Sequence, residues 1–390
     1  MRVLIAAGGT GGHIFPALAI ARHLRREGGR VHVEFVGTGD RMEAEWLEGE
    51  GFPLHPLKIQ GLKGKKVVQL LSSLVLLPQA FLRSWGILSR VRPDVTVGLG
   101  GYASGPLLLL SALRGIPTLI HEQNSLPGLT NRILAPFVKQ IAYSFPGSER
   151  YFRGRRAKLT FTGNPVRREI LVGDRKEAAL RFGLDPQRFT LLCFGGSRGA
   201  SRINSALLEA LPLLLPIRDQ IQFLHASGER DFEAVLRGFA TYPFRARVYP
   251  FIHEMASAYA LADLVISRAG ATTLAELAAL GKPSILIPYP YAANDHQKYN
   301  AQVLASSGGA RILLDHEVNG PVLARAVQEV LEDQAGREAM GQRVKSLAKM
   351  DADEKIAHLI LSLAKDPDRT VPRNACPVGG IAGQSEKLPS

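Results

Sequence analysis

Two glycine-rich turns stand at matching places in two halves of the chain. The first, at 8–13, reads GGTGGH and follows the apolar run 3–7; the second, at 195–200, reads GGSRGA and follows the apolar run 191–194. Glycine lets the backbone approach a ligand closely, and the first N–H groups of a helix carry partial positive charge. Each strand, turn and helix therefore predicts a diphosphate site. Their repetition predicts two doubly wound halves that face a ligand cleft.

His13 closes the first turn at the start of the predicted helix. A neutral imidazole at this place can accept a proton from a substrate hydroxyl, so His13 is the candidate general base. The glycine backbone around it favours that interpretation, because backbone this open usually borders a ligand. The alternative is a helix-start residue that only packs against the loop.

A third strand-to-helix junction lies at 265–276. Gly270 opens its turn, and Thr272 or Thr273 is expected to cap the helix that follows. Glu276 falls about one turn into that helix, where its carboxylate can accept two hydroxyls of a ribose. Compensation of the helix dipole is the alternative role for the same carboxylate.

Polar side chains follow apolar runs at two further places. The sequence HEQN at 121–124 comes directly after the apolar run 117–120, and HQK at 296–298 follows the aromatic stretch 289–291. Open α/β sheets bind ligands at the carboxyl ends of their strands. Amide side chains there suit a sugar, which presents both donors and acceptors.

The first glycine turn fits neither the fingerprint of nicotinamide-dinucleotide enzymes nor that of P-loop hydrolases. Ile14 stands where a dinucleotide fingerprint needs its third glycine, the strand at 31–37 lacks a terminal acid, and no Gly-Lys-Ser/Thr follows the first turn. The ten histidines do not pair at metal-ligand spacing. The one Asp-x-Asp, at 351–353, lies in a polar helical stretch and is expected to be a solvated face. Neither a metal nor a cofactor is predicted.

The composition describes a globular, basic chain. Its 390 residues are 46% apolar and 21% charged, which suits two domains. With only two cysteines, a disulfide framework is not expected, and a reducing cytosol is favoured. The sequence begins with a predicted strand, so no signal peptide is predicted.

The net charge of +13 is concentrated in the first half of the chain. The stretch 51–93 holds seven bases and no acid, and 123–168 holds nine bases and one acid. By charge alone, three classes of anionic partner would suit such a surface: nucleic acid, an acidic membrane surface or a phosphorylated acceptor. No nucleic acid is predicted, because the bases lack the interleaved aromatics of single-strand binders and no helix-turn-helix is visible.

The uncharged run 67–82 bears on membrane attachment. It holds 16 residues, fewer than the roughly 20 that a spanning helix needs, so a transmembrane segment is rejected. Apolar side chains at helical spacing between bases predict an interfacial patch on an anionic membrane, and an ordinary helix packed on the sheet is the alternative. The side chains of the predicted patch are Leu74, Val75, Phe81 and Trp85, with Lys63, Lys65 and Lys66 beside them and Leu88 continuing the spacing.

Strand-like runs alternate with helical stretches throughout, which indicates an α/β fold. The predicted strands are 2–7, 31–37, 94–98, 117–121 and 139–143 in the first half and 190–195, 221–226, 246–250, 263–267 and 284–288 in the second. The hinge is expected at 163–166, because Pro165 forces the preceding residue out of the helical region. Domains are therefore predicted at 1–163 and 164–346. Residues 322–364 read as helical, and 366–390 read as a disordered tail.

Several motifs, taken together and in this order, closely resemble the MurG family of bacterial peptidoglycan glycosyltransferases. They lie at 8–16, 100–106, 121–124, 163–167, 195–197, 267–271 and 295–297, and the likeness runs from residue 1 to about 365. The resemblance implies a GT-B architecture: two Rossmann-like, doubly wound parallel-sheet domains facing a central cleft. It also implies that the last helix, at about 347–365, packs back on the first domain.

The resemblance implies an inverting transfer of N-acetylglucosamine from UDP-GlcNAc. The acceptor would be the 4-hydroxyl of the muramyl sugar of undecaprenyl-pyrophosphoryl-MurNAc-pentapeptide (lipid I), and the product lipid II, in cell-wall synthesis. It implies a peripheral enzyme at the cytoplasmic face of the cell membrane. A GT-B-shaped UDP-GlcNAc epimerase and a glycosyltransferase acting on another lipid acceptor are the alternatives.

By the same resemblance, His13 matches the family's candidate general base. Ile252 would present its backbone to uracil, Glu276 would hold the ribose, and Gln297 would hold sugar hydroxyls. Helix N-termini and Arg167 are expected to neutralise the leaving diphosphate without a metal. Lys298 departs from some relatives, which carry a second glutamine there. The implied donor contacts are Thr10, Gly11, Gly12, Asn124, Arg167, Ser197, Ile252, Ala271, Thr272, Thr273, Leu274, Ala275, Glu276 and Gln297.

Overall fold

The computed structural model arranges the chain as two parallel β-sheets covered by helices. It describes residues 1–8, 11–27, 31–57, 67–101, 103–152, 158–196 and 199–365, with side chains described throughout these ranges except at 67–77 and 158. The predicted tail at 366–390 lies outside the described residues.

The first sheet contains seven described strands. They are β1 (Arg2–Ala6), β2 (His32–Gly37), β3 (Leu54–Pro56), β4 (Val95–Gly98), β5 (Thr118–Glu122), β6 (Gln140–Tyr143) and β7 (Lys158–Phe161). Their order is β3-β2-β1-β4-β5-β6-β7, and β1 pairs in parallel with both β2 and β4. Val3 and Ile5 enter the core on one face, while Leu4 and Ala6 enter the core on the other. A parallel sheet covered on both faces explains why these strands are apolar along their whole length.

Five helices of the described residues lie between the strands of this sheet along the chain and pack on it. They are α1 (Gly11–Glu27), α2 (Arg41–Gly49), α3 (Val67–Val91), α4 (Ser104–Leu113) and α5 (Leu129–Leu134). α1 begins at Gly11, inside the glycine-rich stretch 8–13, so His13 lies at the start of a helix as the sequence predicts. α2 begins where the Asp40 side chain accepts a hydrogen bond from the Glu43 N–H at 2.8 Å, a helix cap that ends the loop after β2.

The second sheet repeats the topology of the first. Its described strands are β8 (Phe189–Phe194), β9 (Ile221–Ala226), β10 (Ala246–Tyr249), β11 (Leu264–Ser267), β12 (Ser284–Leu286) and β13 (Arg311–Ile312). Their order is β10-β9-β8-β11-β12-β13, so β8 holds the place that β1 holds in the first sheet. In both sheets the strand order reverses beside this strand. The two glycine turns therefore leave the sheets where doubly wound folds bind their ligands.

Nine helices follow in the described part of the second half. They are α6 (Arg175–Phe182), α7 (Ser201–Leu214), α8 (Phe232–Ala240), α9 (Met255–Leu261), α10 (Ala271–Leu280), α11 (His296–Ser306), α12 (Gly320–Glu332), α13 (Gln334–Ser346) and α14 (Ala352–Lys365). The stretch predicted as helical at 322–364 is thus three helices. α7 follows the second glycine turn, which confirms the repeated strand, turn and helix.

The chain passes from the first sheet to the second after β7 and returns before α14. The two connecting segments are in contact at Gly163 and Lys349. Gly163 has φ +83°, and a Cβ added there would lie 2.3 Å from the Cβ of Lys349. Only glycine fits this close approach. α14 then packs on α1, where Ile356, Ala357 and Ile360 enter the core of the first sheet.

The docking of α14 corrects one expectation from the sequence. Asp353 is 5% exposed, and its carboxylate lies 3.3 Å from His23 Nδ1 and 3.3 Å from Arg168 Nη2. The prediction of a solvated face is therefore wrong for Asp353, because α14 buries this side chain against α1. Asp351, on the same stretch, pairs with Lys355 at 2.9 Å.

All ten predicted strands are present, and three further strands were missed. β3 and β13 have only three and two residues, and β7 lies in a basic stretch, so none has a long apolar run. Each is the last strand at an edge of its sheet. An edge strand is packed on fewer sides, so it needs less apolar sequence and is harder to recognise.

Among the described residues, no helix combines the length and the apolarity required to cross a membrane. On α3, Leu88 is fully buried, so it belongs to the core and not to an exposed patch. Phe81 is half-buried and Trp85 is 53% exposed. The other members of the predicted patch fall outside the described side chains: Leu74, Val75, Lys63, Lys65 and Lys66.

Candidate active site between the two sheets

The first turns of α1 and α10 meet across the cleft between the sheets. The hydroxyl of Thr272 on α10 donates to the carbonyl of Gly12 on α1 at 3.1 Å. α10 begins after Gly270, which provides no side-chain cap. The prediction that Thr272 or Thr273 caps this helix is therefore wrong, and the first N–H groups of α10 keep their capacity to bind an anion.

His13 lies in the first turn of α1, against the glycine loop that follows β4. Gly100 has φ +97°, and a Cβ added to it would lie 2.8 Å from Cε1 of the His13 ring. Burial lowers the pKa of His13, and contacts with the Leu99 carbonyl and the Gln123 side chain offset part of this effect. His296, on α11 of the other sheet, lowers the pKa further. His13 is therefore neutral at physiological pH and able to accept a proton.

The polar run 121–124 begins inside β5 and not after it, because His121 and Glu122 are the last residues of the strand. Both are buried. The Glu122 carboxylate accepts hydrogen bonds from the Asn124 N–H at 2.8 Å, the Gly128 N–H at 3.0 Å and Asn131 Nδ2 at 2.8 Å. Burial nevertheless raises the pKa of Glu122. Glu122 thus shapes the loop that carries Asn124 and is not itself open to a ligand.

Asn300 on α11 connects that loop to the second sheet. Its Nδ2 donates to Asn124 Oδ1 at 3.0 Å and to the Ala269 carbonyl at 3.3 Å, and its Oδ1 accepts from the Ser125 N–H at 2.8 Å. Asn300 is fully buried. One side chain therefore fixes Asn124 relative to the turn that opens α10.

Glu276 and Arg167, predicted as separate donor contacts, form an ion pair. Arg167 Nε and Nη2 donate to Glu276 Oε1 at 3.1 and 2.8 Å, and the hydroxyl of Tyr259 donates to Oε2 at 2.9 Å. The Arg167 guanidinium also lies 4.3 Å from the ring centroid of Phe15 on α1. Glu276 is in the second turn of α10, and helix-dipole compensation therefore explains little of its placement, since that effect fades beyond the first turn.

Gln297 lies at the start of α11 and binds two neighbouring loops. Its Oε1 accepts from the Ala269 N–H at 3.2 Å and from the Tyr289 N–H at 3.0 Å. The loop before it contains two non-glycine residues with left-handed backbone, Asn294 (φ 55°) and Asp295 (φ 53°). Strained backbone of this kind is common at binding sites, where the surroundings hold it in place.

The remaining predicted contacts divide into described and undescribed residues. Ile252 is 5% exposed and belongs to the second sheet's core, so any ligand contact uses its backbone. In the first turns of α10, Ala271 and Leu274 are buried while Thr273 and Ala275 are half-buried. Gly11, at the start of α1, packs under the Phe15 ring. Thr10 and Ser197 lie outside the described residues.

Three side chains of this region were missed from the sequence: Asn300, Tyr259 and Phe15. Tyr259 reads as one more apolar position of α9, and Asn300 as a polar position of α11. Phe15 belongs to the first motif of the resemblance, but nothing in its sequence context indicates an arginine partner. Their contacts join residues more than 15 positions apart, so no local pattern could reveal them.

Comparison with known proteins gives matches over nearly the whole chain. The Glycosyltransferase family 28 N-terminal domain matches residues 3–143, and the Glycosyltransferase family 28 C-terminal domain matches residues 190–356. A curated protein of Thermodesulfovibrio yellowstonii, UDP-N-acetylglucosamine--N-acetylmuramyl-(pentapeptide) pyrophosphoryl-undecaprenol N-acetylglucosamine transferase, is 43% identical over 94% of this chain and 99% of its own length. A protein of the same name from Myxococcus xanthus is 43% identical over 93% of each chain.

Solved structures agree with these matches. The crystal structure of Acinetobacter baumannii MurG superposes with a TM-score of 0.72 and 31% identity, covering 93% of this chain and 99% of the other. A UDP-GlcNAc 2-epimerase from Neisseria meningitidis, bound to UDP-GlcNAc, gives a TM-score of 0.68 over 93% of this chain and 100% of the other. At 14% identity, the epimerase shows a shared fold alone. The two doubly wound parallel-sheet domains and these neighbours confirm the predicted GT-B fold.

Proposed function

We infer that this chain, which belongs to glycosyltransferase family 28, transfers N-acetylglucosamine from UDP-GlcNAc to N-acetylmuramyl-(pentapeptide) pyrophosphoryl-undecaprenol. The product is the disaccharide-linked lipid II of peptidoglycan synthesis. The observation that carries the inference is the 43% identity, over 94% of the chain, to a relative that is named for this activity. The reaction forms a bond between the acceptor O4 and C1 of N-acetylglucosamine, breaks the bond from C1 to the diphosphate, and releases UDP and a proton.

The donor site is proposed at the start of α10. The uncapped first turn of this helix faces the diphosphate, whose charge grows as the C1–O bond breaks. Glu276 accepts ribose hydroxyls, and the backbone near Ile252 meets uracil. Arg167 holds Glu276 through Nε and Nη2, which leaves its Nη1 for the diphosphate as far as the described residues show. Gln297 is fixed by two backbone N–H groups, so its amide nitrogen can serve the sugar hydroxyls.

His13 is proposed to remove the proton from the acceptor hydroxyl. Its lowered pKa keeps the imidazole neutral, and its position in the first turn of α1 places it opposite α10. Attack from the face opposite the diphosphate inverts the anomeric centre. Asn124, fixed by Asn300, is proposed to position the two substrates between the domains.

We further propose peripheral attachment to the cytoplasmic face of an anionic membrane through the first domain. Large apolar side chains on α3, α4 and α5 are exposed: Leu82 (73%), Trp85 (53%), Leu113 (69%), Leu129 (64%) and Ile133 (56%). These three helices pack side by side, and the Arg114 guanidinium lies 4.6 Å from the Trp85 ring centroid. Exposed bases on the same helices include Arg83, Arg90 and Arg132. Apolar side chains beside bases suit the headgroup boundary of an anionic bilayer.

The domain division proposed with this function is 1–163 and 164–346, with α14 returned to the first domain. The last strand of the first sheet ends at Phe161, and the first strand of the second sheet begins at Phe189. The proposed boundary between residues 163 and 164 lies between these two strands. The two connecting segments at Gly163 and Lys349 lie in contact, so a change in the angle between domains would bend both together.

The function is tested by following the transferred sugar. Purified protein receives UDP-GlcNAc labelled in the sugar, together with the lipid-linked muramyl acceptor in detergent. Label should appear in a lipid product of one additional N-acetylhexosamine, and the new linkage should be β, the inverse of the donor. Appearance of label in the N-acetylmannosamine epimer, still joined to UDP, with none in lipid, would identify an epimerase instead.

A further inference from the structure

Tyr259 on α9 buries a hydroxyl in the core of the second domain. The side chain is fully buried, and its ring packs edge-on against Phe194 with centroids 6.1 Å apart. A buried hydroxyl without a partner is unfavourable, so the hydrogen bond that this hydroxyl makes among the described residues indicates its role. That bond runs to Glu276 Oε2, at 2.9 Å.

The Glu276 carboxylate is held from both sides. Arg167 donates two N–H groups to Oε1, and Tyr259 donates its hydroxyl to Oε2. A glutamate has a freely turning terminal torsion, and a bond to only one oxygen would leave that torsion undetermined. The second bond, from Tyr259, fixes the plane of the carboxylate.

We propose that Tyr259 is a positioning residue that orients the Glu276 carboxylate for the ribose of a uridine nucleotide. This proposal rests on the donor site proposed above, in which Glu276 binds the ribose. Tyr259 does not touch the ligand. Its hydroxyl pre-organises an acceptor that otherwise has to be ordered when the nucleotide binds, and this ordering weakens affinity.

Two further observations support the assignment. Burial, and then the neighbouring Glu276 carboxylate, raise the pKa of Tyr259 well above its usual range, so the hydroxyl keeps its proton and always donates. Arg167, the other partner, also lies on the Phe15 ring of α1. Tyr259 is therefore the fixed partner within the second domain, whereas Arg167 reaches both domains.

The central experiment compares two nucleotides on one variant. Tyr259→Phe keeps the buried ring and removes only the hydroxyl. Calorimetry should show UDP binding weakened about tenfold, the effect of losing one hydrogen bond to a charged group. Binding of 2′,3′-dideoxy-UDP, which lacks both ribose hydroxyls, should stay within about twofold of the wild-type value. The KM for UDP-GlcNAc should rise with the UDP dissociation constant, while kcat changes little.

Controls separate positioning from stability. Tyr242→Phe removes a tyrosine hydroxyl from the loop before β10 in the same domain and should change neither nucleotide's affinity. Replacing Tyr259 with 4-aminophenylalanine restores a donor at the same place and should return UDP affinity to within about threefold of wild type. If Tyr259→Phe does not fold, this variant decides the question: a wild-type ratio of UDP to dideoxy-UDP affinity supports the proposal, and a collapsed ratio overturns it.

The outcomes also show whether a failure concerns the role of Tyr259 or the role of Glu276 in ribose binding, on which the first depends. Equal weakening of both nucleotides by Tyr259→Phe, or no weakening of UDP, overturns the role of Tyr259. If Glu276→Ala leaves the ratio of the two affinities at the wild-type value, the ribose assignment of Glu276 itself is wrong. If Glu276→Ala collapses the ratio and Tyr259→Phe does not, only the role of Tyr259 is contradicted.

Discussion

Asn300 Nδ2 donates to Asn124 Oδ1 across the boundary between the domains, at 3.0 Å. Asn124 follows β5 of the first sheet, whereas Asn300 lies on α11 and contacts the Ala269 carbonyl in the loop that opens α10. The acceptor half and the donor half of the proposed site are thus connected by two amides. We therefore expect this contact to hold the two halves of the proposed site in register.

Replacing Asn300 with alanine should reduce kcat/KM for UDP-GlcNAc by roughly tenfold to a hundredfold. Asn300 makes three hydrogen bonds in a fully buried position, and its loss leaves Asn124 Oδ1 and the Ser125 N–H without these partners. A buried polar group deprived of its partner costs about 1–3 kcal/mol. Steady-state kinetics of transfer measure the effect.

Asn319→Ala is the matched control for that experiment. Asn319 is not among the residues proposed for the site; it caps α12, and its side chain accepts from the Val322 N–H at 3.0 Å. Loss of a cap costs about 1 kcal/mol of stability, so this variant should lose stability and keep its activity. If Asn319→Ala loses as much activity as Asn300→Ala, the effect is one of stability and not of domain coupling.

The activity of the wild-type enzyme should be independent of pH from about 7.5 to 8.5 and should fall in acid. Burial lowers the pKa of His13 below its usual 6.5, so the imidazole is neutral, and competent as a base, throughout that range. Protonation removes the base only as the pH falls through this lowered pKa. A profile of kcat/KM against pH, which reports the ionisations of the free enzyme, measures this fall.

His13→Ala should lower kcat by about 10²–10⁴-fold and remove the acid limb, with much less effect on the donor KM. His316→Ala, at an exposed position of the second domain, should leave the profile unchanged. Wild-type turnover by His13→Ala would remove His13 from the mechanism.

Folding stability should decrease as the pH falls from about 6.5 to about 4. Burial lowers the pKa of His121 to about 4, whereas in the unfolded chain it stays near 6.5. Between these values the unfolded state binds more protons, so the free energy of unfolding rises with pH and is fully regained above about 6.5. For His121 alone this corresponds to about 3 kcal/mol as an order of magnitude.

Urea unfolding at pH 7 and pH 5 tests this dependence. His121→Gln should be less stable than wild type at pH 7 and should show a smaller difference between the two pH values. Some dependence should persist, because burial lowers the pKa of His225 to about 4 as well. An unchanged difference in His121→Gln would show that His121 does not titrate as described.

The exposed surface of α3 and α4 should bind anionic vesicles. Changing Leu82, Trp85 and Leu113 together to serine removes three large exposed apolar side chains, and vesicle affinity should fall at least about tenfold. High salt should weaken binding of the wild type as well, because the neighbouring bases contribute electrostatically. Vesicle co-sedimentation measures both effects.

Leu180→Ser is the control for the surface variant. Leu180 is 83% exposed on α6 in the second domain, away from α3 and α4, so its loss should not change vesicle binding. Activity towards a water-soluble, short-chain acceptor should survive in both variants. Undiminished binding by the triple variant would exclude this surface as the membrane contact.

Much of the fold was predictable because parallel strands buried on both faces leave continuous apolar runs. β1 and β8 were recognisable in this way, and the glycine turns after them marked where each sheet binds a ligand. The missed strands β3, β7 and β13 lie at sheet edges, where less of the strand is covered. Asp353 was misjudged because the helix that buries it belongs to the other end of the chain.

The site was predictable as a set of residues and not as a set of contacts. Arg167 and Glu276 were both expected to face the donor. Their pairing depends on where the segment after the hinge at 163–166 lies against α10, which the sequence does not show. Tyr259 and Asn300 were invisible because their partners lie 17 and 176 positions away. Such contacts are set by tertiary packing, which residue types and spacing do not encode locally.

The chain should act as a transferase that requires a lipid-linked muramyl acceptor. The most direct measurement is the initial rate of UDP release from UDP-GlcNAc, with and without that acceptor, by the full chain. The expected result is UDP release that depends on the acceptor and saturates with it, with one N-acetylglucosamine joined to the acceptor for each UDP released. Equal UDP release in the absence of acceptor, or none in its presence by folded protein, would contradict it.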